Sequence, residues 1–108
     1  MSQIVNLTDH DLTIDDIVYP PSGIVARIRS VNNLAFIFEG IPVYELSSSR
    51  IHDLPSPQDG ILYVTSFQLS REANRLDVVA PNSRDADRDE YGNIVNIHSF
   101  ILPRGITQ

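Results

Sequence analysis

The stretch Gly60 to Pro81, GILYVTSFQLSREANRLDVVAP, limits what this chain can fold into more than any other. Ile61-Leu62-Tyr63-Val64 is a nearly unbroken β-branched and aromatic run, which suits a strand buried on both faces better than one with a wet side. Ser66 or Thr65 can cap a helix at this point, because Phe67 to Asn74 is rich in helix formers and leaves room for about two turns. Leu76 to Ala80 then reads as a second buried strand, closed by Pro81. The unit is strand, short helix, strand, and its hydrophobic centre is expected to include Ile61, Tyr63, Val64, Leu76, Val78 and Val79.

Around this unit the chain reads as short strands separated by turns. Gln3 to Leu7 is a first strand, Thr8 to Asp11 a polar turn, and Leu12, Ile14 and Ile17 to Tyr19 resume the extended pattern until Pro20-Pro21-Ser22-Gly23 breaks it. Ile24 to Arg29 alternates, which places Ile24, Ala26 and Ile28 inward and Val25, Arg27 and Arg29 together on the other face. Leu34 to Phe38 and Ile41 to Glu45 flank Glu39-Gly40, a two-residue hairpin signal. Leu46 to Asp59, with four serines and two prolines, reads as loop. After the central unit, Asn82 to Glu90 is a polar, mostly charged arm. Tyr91-Gly92-Asn93 turns into Ile94 to Leu102, where Val95, Ile97, Ser99 and Ile101 make the better core face.

With 108 residues, the chain forms one domain over positions 1–108 with a single core. The fold class expected is α+β, mostly β: a compact barrel- or sandwich-like sheet of short strands with one short helix at about 66–74. The absence of cysteine excludes disulfides and thiolate metal sites. No apolar run approaches the roughly 20 residues of a membrane helix, and the start lacks the pattern of a signal peptide, so a soluble cytoplasmic protein with no membrane partner is expected. A net charge of −6 disfavours double-stranded nucleic acid, whose affinity is supplied by clustered cations.

Several constellations fail on spacing. Asp85 to Ile94 resembles a calcium loop, and in the frame starting at Asp87 glycine falls at the sixth position, yet the twelfth would be His98 where a bidentate Glu is needed. His10 with Asp11, Asp15 and Asp16, and His52 with Asp53, match no compact metal site. Ser47-Ser48-Ser49 and Ser66 lack a nucleophile elbow, and the five glycines are isolated, which removes phosphate-cradling loops and leaves no cofactor, metal or catalytic residue assigned.

What survives is arginine. All eight cations are arginine, the side chain that forks onto phosphates and carboxylates. Arg27 and Arg29 on one strand face, with Asn82, Arg84, Arg88 and Arg104 in the late loop and tail, form the candidate ligand-binding set if folding or a subunit interface brings them together. The competing reading is ordinary surface ion pairing with the fourteen acids.

Beyond these readings, Ile4-Val5-Asn6-Leu7-Thr8-x-His10, Pro21-Ser22-Gly23 with Ala26-Arg27, Gly40-Ile41-Pro42-Val43, Leu54-Pro55-x-Pro57, Leu62-Tyr63-Val64-x-Ser66 and Asp77-x-Val79-Ala80-Pro81-Asn82 resemble a family of small β-rich proteins encoded by phages and prophages. In size, context and arginine use such proteins are analogous to phage nucleotide sponges such as the anti-Thoeris proteins. The resemblance implies a non-catalytic accessory protein in the host cytoplasm, a homo-oligomer that sequesters an anionic small molecule such as a nucleotide-type defence signal. A structural or protein-interaction module and a metal-dependent hydrolase or nuclease are the alternatives.

Overall fold

A computed structural model of the protein describes residues 2–103, without the side chains of residues 46–49. Its strands are β1 (Gln3–Asn6), β2 (Leu12–Ile14), β3 (Ile17–Tyr19), β4 (Arg27–Phe38), β5 (Ile41–His52), β6 (Ile61–Val64), β7 (Val78–Pro81), β8 (Asp87–Arg88), β9 (Ile94–Asn96) and β10 (Phe100–Ile101), with one helix, α1 (Phe67–Ala73). The central sheet runs β1-β6-β7-β10, with β1, β6 and β7 parallel and β10 antiparallel to β7. The remaining strands form three hairpins, β2-β3, β4-β5 and β8-β9. The sheets do not close into a barrel; they stack as a sandwich-like α+β layering that is mostly β.

The two-faced apolar run of β6 explains that layering. Leu62 and Val64 pack on one side with Leu12, Ile14, Val79 and Ile97 from β2, β7 and the segment after β9. Ile61 and Tyr63 pack on the other with Leu7, Leu69 and Val78, joined by Ala26, Ile51 and Leu54. One cover is therefore β-hairpin and the other is α1 plus the base of β4-β5. The first is tied by backbone bonds from Asp15 to the Ile97 carbonyl and from Ile97 to the Thr13 carbonyl, at 2.9 and 2.8 Å.

Local chemistry sets the ends of α1. The Ser66 hydroxyl accepts from the Leu69 amide at 3.3 Å, and Asn74 closes the helix in the left-handed region at φ 50°. On the buried side of the helix, Ser70 donates its hydroxyl to the Val78 carbonyl at 2.8 Å, which fastens the helix to the strand it precedes. Arg75 in the connection forks onto Asp77 at 2.9 and 2.7 Å, bonds the Pro55 carbonyl and stands over the Tyr63 ring. These bonds hold the Asp77 carboxyl below its ordinary range and the guanidinium above its own.

Several expectations need correction. Leu76 is 69% exposed, because β7 starts only at Val78 and the residue sits in the outward bend after the helix. Ile24 is exposed in the turn before β4 rather than inward. The stretch expected as loop from Leu46 is strand as far as His52: β5 pairs with β4 along its whole length, so backbone pairing rather than burial keeps it extended. Only 53–60 remains irregular. Ile94 to Leu102 is broken into β9 and β10, since β9 pairs with β8 and β10 with β7; Val95 is exposed and Ile97 buried.

The hairpin β4-β5 extends beyond the body. A radius of gyration of 16.6 Å exceeds the roughly 13 Å expected for a compact chain of this length. Its tip residues Glu39 and Gly40, with φ of 51° and 79°, make the tight turn that the sequence signals.

Exposure separates two substitutions of the same kind. Val64 is fully buried, so Val64→Asp places an unpaired charge in the core and abolishes soluble folding. Leu76→Asp on the exposed bend leaves the stability within about 0.5 kcal/mol, read by chemical denaturation.

Candidate functional site

The site is built from the end of β1. Asn6 is buried, and its amide donates to the carbonyls of His10 and Tyr19, both at 2.9 Å, while its oxygen accepts from the Thr8 amide and hydroxyl at 2.9 and 2.6 Å. Thr8 also donates to the His10 carbonyl at 3.0 Å. Asn6 and Thr8 thus fold Leu7 to His10 into a turn and lock it to β3. The ladder continues past the strand ends: Leu7 donates to Val64, Thr65 to Val79, Ser22 to Asn6 and Ala26 to Leu7. Residues 22–26, bent at Gly23 with φ 100°, therefore lie along the free edge of β1 and deliver Arg27 to its carboxyl end.

A cleft of about 270 Å³ opens there, lined by the Leu7 to His10 turn, Val25 to Arg27, Thr65, Ser66 and Pro81. It occupies the carboxyl ends of three parallel strands, where the turns of such sheets splay apart and leave a hollow. His10 contacts Asp9 at 3.2 Å, and the Asp9 carboxyl is held low first by that bond and least by the charge of Arg27. The Ser66 hydroxyl serves the helix amide of Leu69. A larger hollow, about 640 Å³, lies at the opposite ends of the strands beside Gln3, Gly60 and Ile61, and among the described residues no charged side chain lines it.

From Arg27 a cationic ladder runs outward. Arg27 is paired across the strands with His52 and Arg29 with Arg50. Directly opposed residues share a face, as do residues two apart, so all four side chains stand on one face of the hairpin root. The other face carries Ile28 and Ile51, half-buried toward the body. Arg27, Arg29, Arg50 and His52 are exposed, and among the described residues none of them is in an ion pair. Two guanidinium groups placed directly opposite repel, at a cost of a few tenths of a kcal/mol to about 1 kcal/mol, unless an anion lies between them.

The structure separates the other expected residues from this ladder. Asn82 bonds the Ser99 hydroxyl at 3.1 Å and accepts from the Arg84 amide, which makes it a loop former. Arg84 lines a second cleft of about 400 Å³ that meets the first at Pro81. Arg88 donates to the Gly92 carbonyl at 2.7 Å and closes the turn between β8 and β9. Arg104 lies outside the described residues. Arg50 and His52, which complete the ladder, fall in the stretch read as loop; extending the hairpin beyond Glu45 would have placed them opposite Arg29 and Arg27.

The acidic clusters likewise serve structure. Asp89 accepts from the amides of Tyr91 and Asn93, both at 2.9 Å, so the former calcium candidate is an Asx-capped turn whose carboxyl is held low by those bonds. His98 is gripped by Asp15 at Nδ1 and by Asp87 at Nε2, each at 2.9 Å, and Asp16 and Asn96 exchange bonds beside it. Both ring nitrogens are engaged, so this imidazole serves as a clamp between hairpins rather than a base or metal ligand.

No family model, curated protein or solved structure matches the chain.

The two carboxylates raise the His98 pKa from 6.5 to about 8. A raised folded-state value means that the clamp's stabilisation is complete below about pH 6.5 and is lost as pH rises through 8. Thermal midpoints measured from pH 6 to 9 should fall across that window in the wild type, and the fall should vanish in His98→Gln.

Proposed function

We propose that this protein binds an anionic small molecule, a nucleotide being the class it suits, without transforming it. The observation that carries the reading is the ladder of Arg27, Arg29, Arg50 and His52 beside the cleft. Planar guanidinium forks suit phosphate oxygens, and an anion between Arg29 and Arg50 turns a repulsive cross-strand pair into a favourable one. The cleft at Arg27 offers apolar walls from Leu7, Val25 and Pro81 and polar groups from Thr8, Asp9 and Ser66, a mixture suited to a sugar or base attached to the phosphate.

Non-catalytic binding fits the site better than hydrolysis. His10 is directed to Asp9 and Ser66 to the helix amide, and among the described residues no group of three His, Asp or Glu side chains is arranged to hold a metal ion. The resemblance to phage and prophage proteins adds a setting: an accessory protein that withdraws a nucleotide-type defence signal in the host cytoplasm. The competing class is a structural or protein-interaction module, favoured by the exposed hairpin.

The test is calorimetry and thermal shift at low salt against inorganic phosphate, pyrophosphate, mononucleotides, cyclic nucleotides and ADP-ribose. Arg27→Ala should weaken binding roughly ten- to a hundredfold with unchanged melting of the free protein, and Arg29→Ala and Arg50→Ala should weaken it as much while leaving melting unchanged or slightly raised, since each relieves the cross-strand repulsion. Arg27→Lys should fall between Arg27→Ala and wild type, since it keeps the charge and loses the fork. No shift across the panel, with a protein co-purifying, would favour the interaction module, and turnover of any panel member would replace the binding reading.

A further inference from the structure

Pro81, at the carboxyl end of β7, lines both the cleft at Arg27 and the cleft at Arg84. Ser66 and Phe67 mark a second boundary between them: these chain neighbours line one cleft each, so the two hollows adjoin across a single residue's length, ~3.8 Å. Their volumes, about 270 and 400 Å³, are small for separate ligand sites, which run from roughly 300 to 1,000 Å³, whereas the joined hollow falls well inside that range. Among the described residues, Arg27 and Arg84 flank it against one carboxylate, Asp9, which His10 already engages. An anionic occupant is therefore favoured over a cationic one.

The second cleft differs from the first in chemistry. Phe67, 45% exposed at the start of α1, supplies the flat ring that the first cleft lacks among its phenylalanine-free, tyrosine-free walls. Opposite it is Ile101, which faces the helix side of the sheet because Phe100 and Leu102 turn into the other core. The backbone at Arg84 is held in place: the Asn82 amide donates to the Ser99 carbonyl at 3.0 Å, and the Asn82 side-chain oxygen accepts from the Arg84 amide at 3.1 Å. The Arg84 guanidinium itself is in no ion pair among the described residues. An exposed aromatic ring beside such an arginine suits a nucleobase, since the ring stacks on any base and the guanidinium stacks or donates to its edge.

We propose that the ligand of the anion site is a dinucleotide, two nucleosides joined through phosphate. One nucleoside and the phosphates occupy the cleft and ladder at Arg27, and the base of the second nucleoside lies in the adjoining cleft between Phe67 and Arg84. The proposal rests on the anion reading and adds the ligand's class. A mononucleotide fills only the first cleft and leaves Phe67 and Arg84 in water.

Calorimetry of the full chain at one low salt concentration, with inorganic phosphate, ADP and diadenosine diphosphate as probes, tests it. Diadenosine diphosphate carries less negative charge than ADP, so tighter binding reports the second nucleoside rather than the phosphates. It should bind roughly tenfold tighter than ADP or more, the gain that stacking one base supplies. Phe67→Leu and Arg84→Ala should each erase most of that margin by weakening the dinucleotide alone, with melting of the free protein as the control for folding. Phe67→Tyr, which keeps a flat ring, should retain the margin, and Arg27→Ala should weaken both ligands alike. Diadenosine diphosphate binding no tighter than ADP, or a margin that survives Phe67→Leu combined with Arg84→Ala, overturns the proposal and leaves the anion reading standing. Failure of all three probes to bind overturns both.

Discussion

A parallel pair of strands joined by only two turns of helix must be covered on both faces, and that requirement governs the rest of this molecule. β6 and β7 send Tyr63 and Val78 to one side and Val64 and Val79 to the other, all of them buried. A seven-residue helix shields only part of one side. The rest is supplied by the base of the long hairpin through Ala26 and Ile51, and the opposite side by β2 and Ile97. The hairpin root is thus fixed by core packing on its inner face, which leaves its outer face free to carry charge.

Legibility in the sequence tracks burial. The β6-α1-β7 unit, the Ser66 cap and the outward aspect of Arg27 and Arg29 are readable because alternation and capping are local and the inner faces are apolar. The length of β5 is not, because a strand that leaves the body has no buried face to impress a pattern on it, and serines suit an exposed ribbon as well as a loop. The partnership of Arg29 with Arg50 depends on register across twenty intervening positions and two irregularities, which no local window contains. Leu76 misled for the opposite reason: an apolar residue adjoining a buried strand need not share its burial.

Buried polar chemistry positions the cleft without entering it. Asn6 spends one amide hydrogen and its oxygen on the turn that forms the wall and the other amide hydrogen on the Tyr19 carbonyl of β3, so the motif Asn6-Leu7-Thr8-x-His10 owes its histidine position to a backbone carbonyl rather than to an imidazole. No buried side-chain nitrogen or oxygen among the described residues lacks a partner. A body satisfied in this way contrasts with a hairpin whose root bears cations in no ion pair among the described residues and whose tip bears exposed apolar groups.

The placement of that hairpin in the chain also shapes the route to the folded state. β1 and β6 are neighbours in the sheet, yet Gln3 and Ile61 stand fifty-eight positions apart. Between them lie β2-β3 and β4-β5, both closed by contacts near in sequence, and the second brings Arg27 beside His52. Once these ribbons zip, the loop left to close around the parallel pair is about half as long, an entropic saving of ~0.6 kcal/mol. A ribbon that lies mostly outside the body thereby shortens the search by which the body assembles.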